Sequence, residues 1–169
     1  GTLQWNKTYG GSQDDRVQDM VKTSDGGYAL GCLTNSFGAG SADFWLIKVT
    51  STGVVQWNKT YGGTGSDTPF WIVQTTDGGY AMLGNTNSFG VNGSQDAWLV
   101  KTDGNGNMQW NKTYGGSALE GGLQIIKTND GGFGLMCNTQ SFGAGNSDFW
   151  FIKTDAAGNM QWNKTYGGS

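Results

Sequence analysis

The sequence predicts an all-β protein built from a repeated four-stranded antiparallel sheet. Three observations carry this. The run QWNKTYGG occurs four times unchanged, beginning at Gln4, Gln56, Gln109 and Gln161, so the intervals are 52, 53 and 52 residues. A fixed period of this length marks a repeat architecture. Each period alternates apolar and polar residues in short runs, the period-two pattern of strands. Gly is abundant at 31 and Pro nearly absent at 1, beside 8 Trp, 8 Phe and 6 Tyr, which describes tight turns between aromatic strands and not a disordered chain.

The elements of one period follow in order. Ser12–Arg16 reads as a loop, and Val17–Thr23 as the first strand, matched by Pro69–Thr75 and Gly122–Thr128. The turns Ser24-Asp25-Gly26-Gly27, Thr76-Asp77-Gly78-Gly79 and Asn129-Asp130-Gly131-Gly132 follow. Asp-Gly between two apolar runs is a strong hairpin signal. The second strand is Tyr28–Asn35, Tyr80–Asn87 or Phe133–Gln140, and small residues on one of its faces allow a neighbouring sheet to approach. A Gly-rich loop opening with Ser-Phe-Gly comes next, one residue longer in the middle copy. The third strand, with Trp45, Trp98 or Trp150 at its centre, is apolar on both faces and is expected to be covered on both. A turn leads into QWNKTYGG as the fourth strand, with Trp, Lys and Tyr on one face and Gln, Asn and Thr on the other.

A four-stranded sheet of this kind cannot cover both its faces alone, and stacking sheets around an axis solves that. The expected fold is therefore a β-propeller of four-stranded antiparallel blades. The partition is a surplus outer strand at 1–11, then blades at 12–63, 64–116 and 117–169. The pattern TSDGGYALG, SFGAGSADFWLIK and QWNKTYGG resembles repeats of large secreted and surface proteins of archaea and bacteria, themselves predicted to form propellers. The order of elements is also similar to that of kelch repeats, whose double-Gly signature sits elsewhere. The surface-repeat resemblance covers nearly the whole chain. It implies an extracellular or cell-surface scaffold or recognition module, and no catalytic residues.

Propellers typically have about four to eight blades, so three are expected not to close without a large central hole. Three outcomes stay open. Two chains pair into a ring, the chain belongs to a longer array, or copies add head to tail into a filament by strand exchange. Because the chain starts at Gly1, it is expected to be a mature or excised piece.

Composition narrows the function. The net charge is −3 with no basic stripe, which gives no reason to expect nucleic acid. No apolar run is long enough to span a membrane as a helix. His is absent, which removes the commonest general base and metal ligand. No nucleophile–base, zinc or phosphate-loop arrangement is visible, so the chain is expected to be neither an enzyme nor cofactor-dependent. Cys32 and Cys137 hold equivalent places in the first and third repeats and are expected to be separate buried thiols. Asp103–Asn107 imitates calcium-loop spacing but lacks the later Gly and Glu, so a hairpin turn is expected there.

Candidate sites gather at the end of the blades with the longer loops. Asp43, Asp96 and Asp148 close the Ser-Phe-Gly loops, and Asp15, Asp67 and Glu120 hold equivalent places in the other loop. These carboxylates either accept backbone N–H bonds and fix loop shape or form an acidic ring for a cation or glycan hydroxyls. Asn6, Asn58, Asn111, Asn163 and Asn92 head Asn-X-Ser/Thr sequons and are candidate glycosylation sites. The Trp residues recur in every repeat and so read as core, although a lectin-like role would use them for stacking on sugar rings. Trp71 has no aromatic counterpart at Asp19 or Gln124 and is expected to be exposed or to fill a local gap. The functional expectation is a non-enzymatic structural or adhesion module, self-associating, with filament formation or glycan binding as alternatives.

Overall fold

The computed structural model describes residues 1–168, and its fold is all β. Sheet 1 contains β1 (Asp15–Lys22), β2 (Tyr28–Thr34), β3 (Asp43–Val49) and β4 (Val55–Tyr61). Sheet 2 contains β5 (Asp67–Gln74), β6 (Tyr80–Thr86), β7 (Asp96–Thr102) and β8 (Met108–Tyr114). Sheet 3 contains β9 (Glu120–Lys127), β10 (Phe133–Thr139), β11 (Asp148–Thr154) and β12 (Met160–Tyr166). Each sheet is an antiparallel meander with its strands side by side in chain order. The extra residue of the middle Ser-Phe-Gly loop is taken up in a 3-10 turn at Val91–Gly93.

Local chemistry fixes the hairpins. At the first turn Gly26 N–H donates to Thr23 O at 2.9 Å, and Thr23 N–H donates to Gly27 O at 2.9 Å. Gly26 has φ +85°, a left-handed conformation open to a residue without Cβ. The same turn recurs at Gly78 and Gly131. The first strand of every sheet carries an irregularity, after Val17, Pro69 and Gly122. Such bulges leave backbone groups unpaired in the ladder. Two nearby N–H groups find partners on the preceding sheet: Ile72 N–H donates to Asp19 Oδ2 at 3.0 Å, and Gly122 N–H donates to Asn85 Oδ1 at 2.9 Å.

The sheets pack face to face in chain order. The trailing face of sheet 1, with Ala29, Phe44 and Leu46, forms one core with the leading face of sheet 2, with Tyr80, Met82 and Trp98. The trailing face of sheet 2, with Ala81, Leu83 and Leu99, forms the next core with Phe133, Leu135 and Trp150 of sheet 3. β1 lies against β5, and β5 against β9. Backbone bonds cross the same seams, from Asp67 N–H to Ala42 O at 2.6 Å and from Glu120 N–H to Gln95 O at 2.8 Å.

Three expectations need correction. The copy of the repeat strand at 4–11 pairs with no sheet, because no third strand lies beside it to supply a ladder. The third strands are not alike. β3 and β7 are buried at every residue, whereas β11 alternates between buried and half-buried, because no sheet covers its trailing face. The six acids assigned to loops are instead the first residues of β1, β3, β5, β7, β9 and β11.

Each seam is closed by a tyrosine. Tyr61 Oη donates to Gly106 O at 2.6 Å, and Tyr114 Oη donates to Gly158 O at 2.7 Å, both buried. Removing the hydroxyl leaves a buried carbonyl without its partner, at a cost of about 1–2 kcal/mol. Tyr61→Phe and Tyr114→Phe are each expected to lower the urea-unfolding free energy by about this amount. Tyr166→Phe, whose hydroxyl meets no such carbonyl among the described residues, is expected to leave it unchanged in dilute solution; equal losses in all three variants would contradict the assignment.

Candidate functional site

Two polar constellations recur, one at each end of the sheets. At the Asp-Gly-Gly end, Lys48 is buried in sheet 1 and its Nζ donates to Asp25 Oδ2 at 2.8 Å and to Gln56 Oε1 at 2.8 Å. Lys101 meets Asp77 and Gln109 in the same way, and Lys153 meets Asp130 and Gln161. One ammonium therefore ties the first hairpin turn to the start of the fourth strand. For Asp77 burial is opposed by hydrogen bonds from Lys101, Thr75 and Gly79, and the balance holds its carboxyl at about 2. The Lys48 hydrogen bond, with those from Thr23 and Gly27, holds Asp25 well below its usual range. These lysines are not among the residues that sequence motifs single out. The signal was in the sequence: Lys and the strand Gln stand eight residues apart in every repeat, and the turn Asp recurs before them, one residue further off in the middle copy with its longer loop.

At the other end lie the six acids singled out from the sequence. Asp15, Asp67 and Glu120 each fasten the Gly-Gly exit of a preceding repeat strand. Gly11 N–H donates to Asp15 at 2.8 Å, Gly63 N–H to Asp67 at 2.8 Å and Gly116 N–H to Glu120 at 2.7 Å. The same carboxylates bind the Ser-Phe-Gly loop through Ser36, Ser88 and Ser141. Asp43, Asp96 and Asp148 accept the N–H of Ala39, Val91 and Ala144 within their own loops. Five of the six are buried, and Asp15 is half-buried.

The acids also meet in pairs across the seams. A Cβ on Gly62 would run into both Asp43 and Asp67, which brings these two carboxylates close together. Asp43 is pushed up by burial and, against the Ala39 hydrogen bond, by the charge of Asp67. Its Oδ1 is buried with no hydrogen-bond partner. Asp96 is pushed up by burial and, in the same sense, by Glu120.

Asp103, at the turn before β8, spends its carboxylate locally: Oδ1 accepts Asn105 N–H at 2.9 Å and Asn107 N–H at 2.8 Å. Cys32 and Cys137 are free thiols buried in different cores, and burial pushes both up to about 12. Trp71 follows the bulge in β5 and is 38% exposed.

The five sequon asparagines are all exposed, yet they are not equivalent. Asn58, Asn111 and Asn163 accept the indole N–H of Trp45, Trp98 and Trp150 at 3.0–3.1 Å. Asn6 has no third strand beside it to offer such an indole, and Asn92 sits in the 3-10 turn at φ +54°.

The remaining surface features are the two outer sheet faces. The leading face of sheet 1 exposes Met20 at 62%, where its counterparts Ile72 and Ile125 are buried. The trailing face of sheet 3 exposes Ile126, Met136, Trp162 and Tyr166, and Tyr166 is 58% exposed where Tyr61 and Tyr114 are buried.

Asp43→Asn removes one charge from a close buried pair. It is expected to raise stability at pH 7. An acid whose folded pKa is raised destabilises the fold fully above that value, so the gap between variant and parent is expected to shrink as pH falls below it and to close once pH is below the ordinary carboxylate range. Thermal melts across pH read this, and a pH-independent gap would contradict it. In a glycosylating host, Asn92 and Asn6 are expected to carry glycan while Asn58, Asn111 and Asn163 remain largely bare. Glycopeptide mass spectrometry measures site occupancy, and full occupancy at Asn58 would refute that ranking. No protein-family model matches the chain, and comparison with curated proteins finds no significant match.

Proposed function

We propose that the chain is a non-enzymatic scaffold of the β-propeller type, serving structure or adhesion outside the cell or at its surface. We propose further that it associates with other copies head to tail. The supporting observation is that the two outer sheet faces display residues whose counterparts are buried at the two internal seams. The neighbourhood of β1, β5 and β9 also suits first strands gathered along an axis. The extracellular setting rests on the resemblance of the repeat to those of secreted and surface proteins, and the five exposed sequons are compatible with it.

The energetics make association sensitive to concentration. Fully burying one large apolar side chain is worth about 1.5–3 kcal/mol. Several such side chains would be covered on each face, against an association cost of about 4–15 kcal/mol. The two terms are comparable, so protein concentration should move the equilibrium. Leading and trailing faces differ in sequence, so the contact is heterologous. It gives a ring where the rotation closes and a filament where it does not.

Light scattering at two well-separated concentrations tests this. The mass is expected to rise with concentration and level off at a closed assembly. Growth without a plateau selects the filament. A single-chain mass at both concentrations would refute self-association.

A further inference from the structure

The leading face of sheet 1 is partly covered by residues 4–11, which belong to no sheet. This segment makes the contacts that an outer strand makes at an internal seam. Tyr9 Oη donates to Gly53 O at 2.7 Å, as Tyr61 does to Gly106 and Tyr114 to Gly158. A Cβ on Gly53 would lie 2.7 Å from the Trp5 ring, and Gly106 and Gly158 meet Trp57 and Trp110 in the same way. Gly11 N–H binds Asp15 as Gly63 binds Asp67. The segment therefore sits where β4 and β8 sit, one place further back along the stack.

It does not fill that place. Clefts of about 350 Å³ and 290 Å³ remain against sheet 1, lined by apolar side chains including Met20, Tyr28, Leu30 and Ile47. At the internal seam the corresponding face of sheet 2 packs against Phe44 and Leu46 of the preceding sheet. The counterparts of Phe44 and Leu46 in sheet 3 are Phe149 and Phe151, on its uncovered trailing face. Beside them β12 carries Gln161–Gly168, identical to Gln4–Gly11.

From this we infer that residues 4–11 are a placeholder, and that a second copy docks by displacing them with its own β12. The inference rests on the head-to-tail association proposed above and names the groove through which it occurs. The two segments are identical and compete for one site. Which one yields follows from their other bonds. β12 is held along its length by a ladder to β11, whereas 4–11 has no ladder to lose. The incoming strand also brings Phe149 and Phe151 to the clefts, which the resident segment cannot. The occupant is thus a second copy of this chain, seated by Trp162 on Gly53 and by the Tyr166 hydroxyl on its carbonyl.

Full-length variants test this by sedimentation equilibrium. Trp5→Ala/Tyr9→Phe loosens the placeholder and is expected to raise the association constant about tenfold, a shift of about 1.4 kcal/mol. Trp162→Ala/Tyr166→Phe weakens the incoming strand and is expected to lower it by a similar factor. Tyr9→Phe alone, which removes one hydroxyl, is expected to raise it about threefold and serves if the double variant fails to fold. In NMR spectra of the parent, the Trp5 indole N–H, bonded to Ser51 O at 3.1 Å, should move to a solvent-exposed position on association. If the parent associates but loosening residues 4–11 leaves the constant unchanged or lowers it, displacement is refuted while head-to-tail association stands. If the parent associates and the Trp162/Tyr166 variant matches it, the assigned groove is wrong. If no variant associates at any concentration, both the groove and the association reading fall.

Discussion

A sheet that is apolar on both faces needs a neighbour on each side, and this one requirement governs the molecule. Sheet 2 alone has both neighbours within the chain, and β7 is buried at every residue. Sheet 1 has a sheet behind it and only a short segment in front. Sheet 3 has a sheet in front and, among the described residues, none behind, and β12 is exposed along its whole length. The run QWNKTYGG of the outer strand is identical in the three repeats, yet Tyr61 and Tyr114 are buried and Tyr166 is exposed, so for that strand position decides burial. The gradient from sheet 2 to the two outer faces is the physical origin of the proposed assembly.

Polar chemistry in this fold is spent on holding loops and seams. Each buried lysine binds a turn aspartate and a strand glutamine, so hairpin and outer strand are fixed together. The acids at the opposite end bind the loops of their own sheet and the exit of the preceding outer strand. Two carboxylates meet at each seam, and burial, with a smaller push from the neighbouring charge, moves one of them up. The sheets therefore dock through apolar surface, while hydrogen bonds to tyrosine, aspartate and backbone set their register. Tyr61 and Tyr114 illustrate the division, with a ring in the core and a hydroxyl on a glycine carbonyl of the next turn.

Much of this was legible in the residues. The period, the four strands of each repeat, the Asp-Gly turns and the two-sided apolar third strand follow from local rules of alternation and turn chemistry. The burial of Cys32 and Cys137 followed from their type and equivalent placement. The acids were found, and their loop-fixing hydrogen bonds match one of the two alternatives held for them. The lysine that joins Asp25 to Gln56 left only a recurrence in the sequence; that Lys48 reaches both partners is decided when the strands pair.

Sequence alone thus determined the strands, their turns and their grouping into three sheets, since these depend on contacts between near neighbours in the chain. It could not decide which copy of QWNKTYGG is a strand. Gln4–Gly11 and Gln161–Gly168 are identical, yet the second pairs with β11 and the first lies unpaired against sheet 1. That difference comes from what stands beside each copy, and so do the half-buried β11, the exposed Tyr166 and the clefts beside Met20. Burial depends on the neighbour a surface meets, and only the tertiary structure supplies that neighbour.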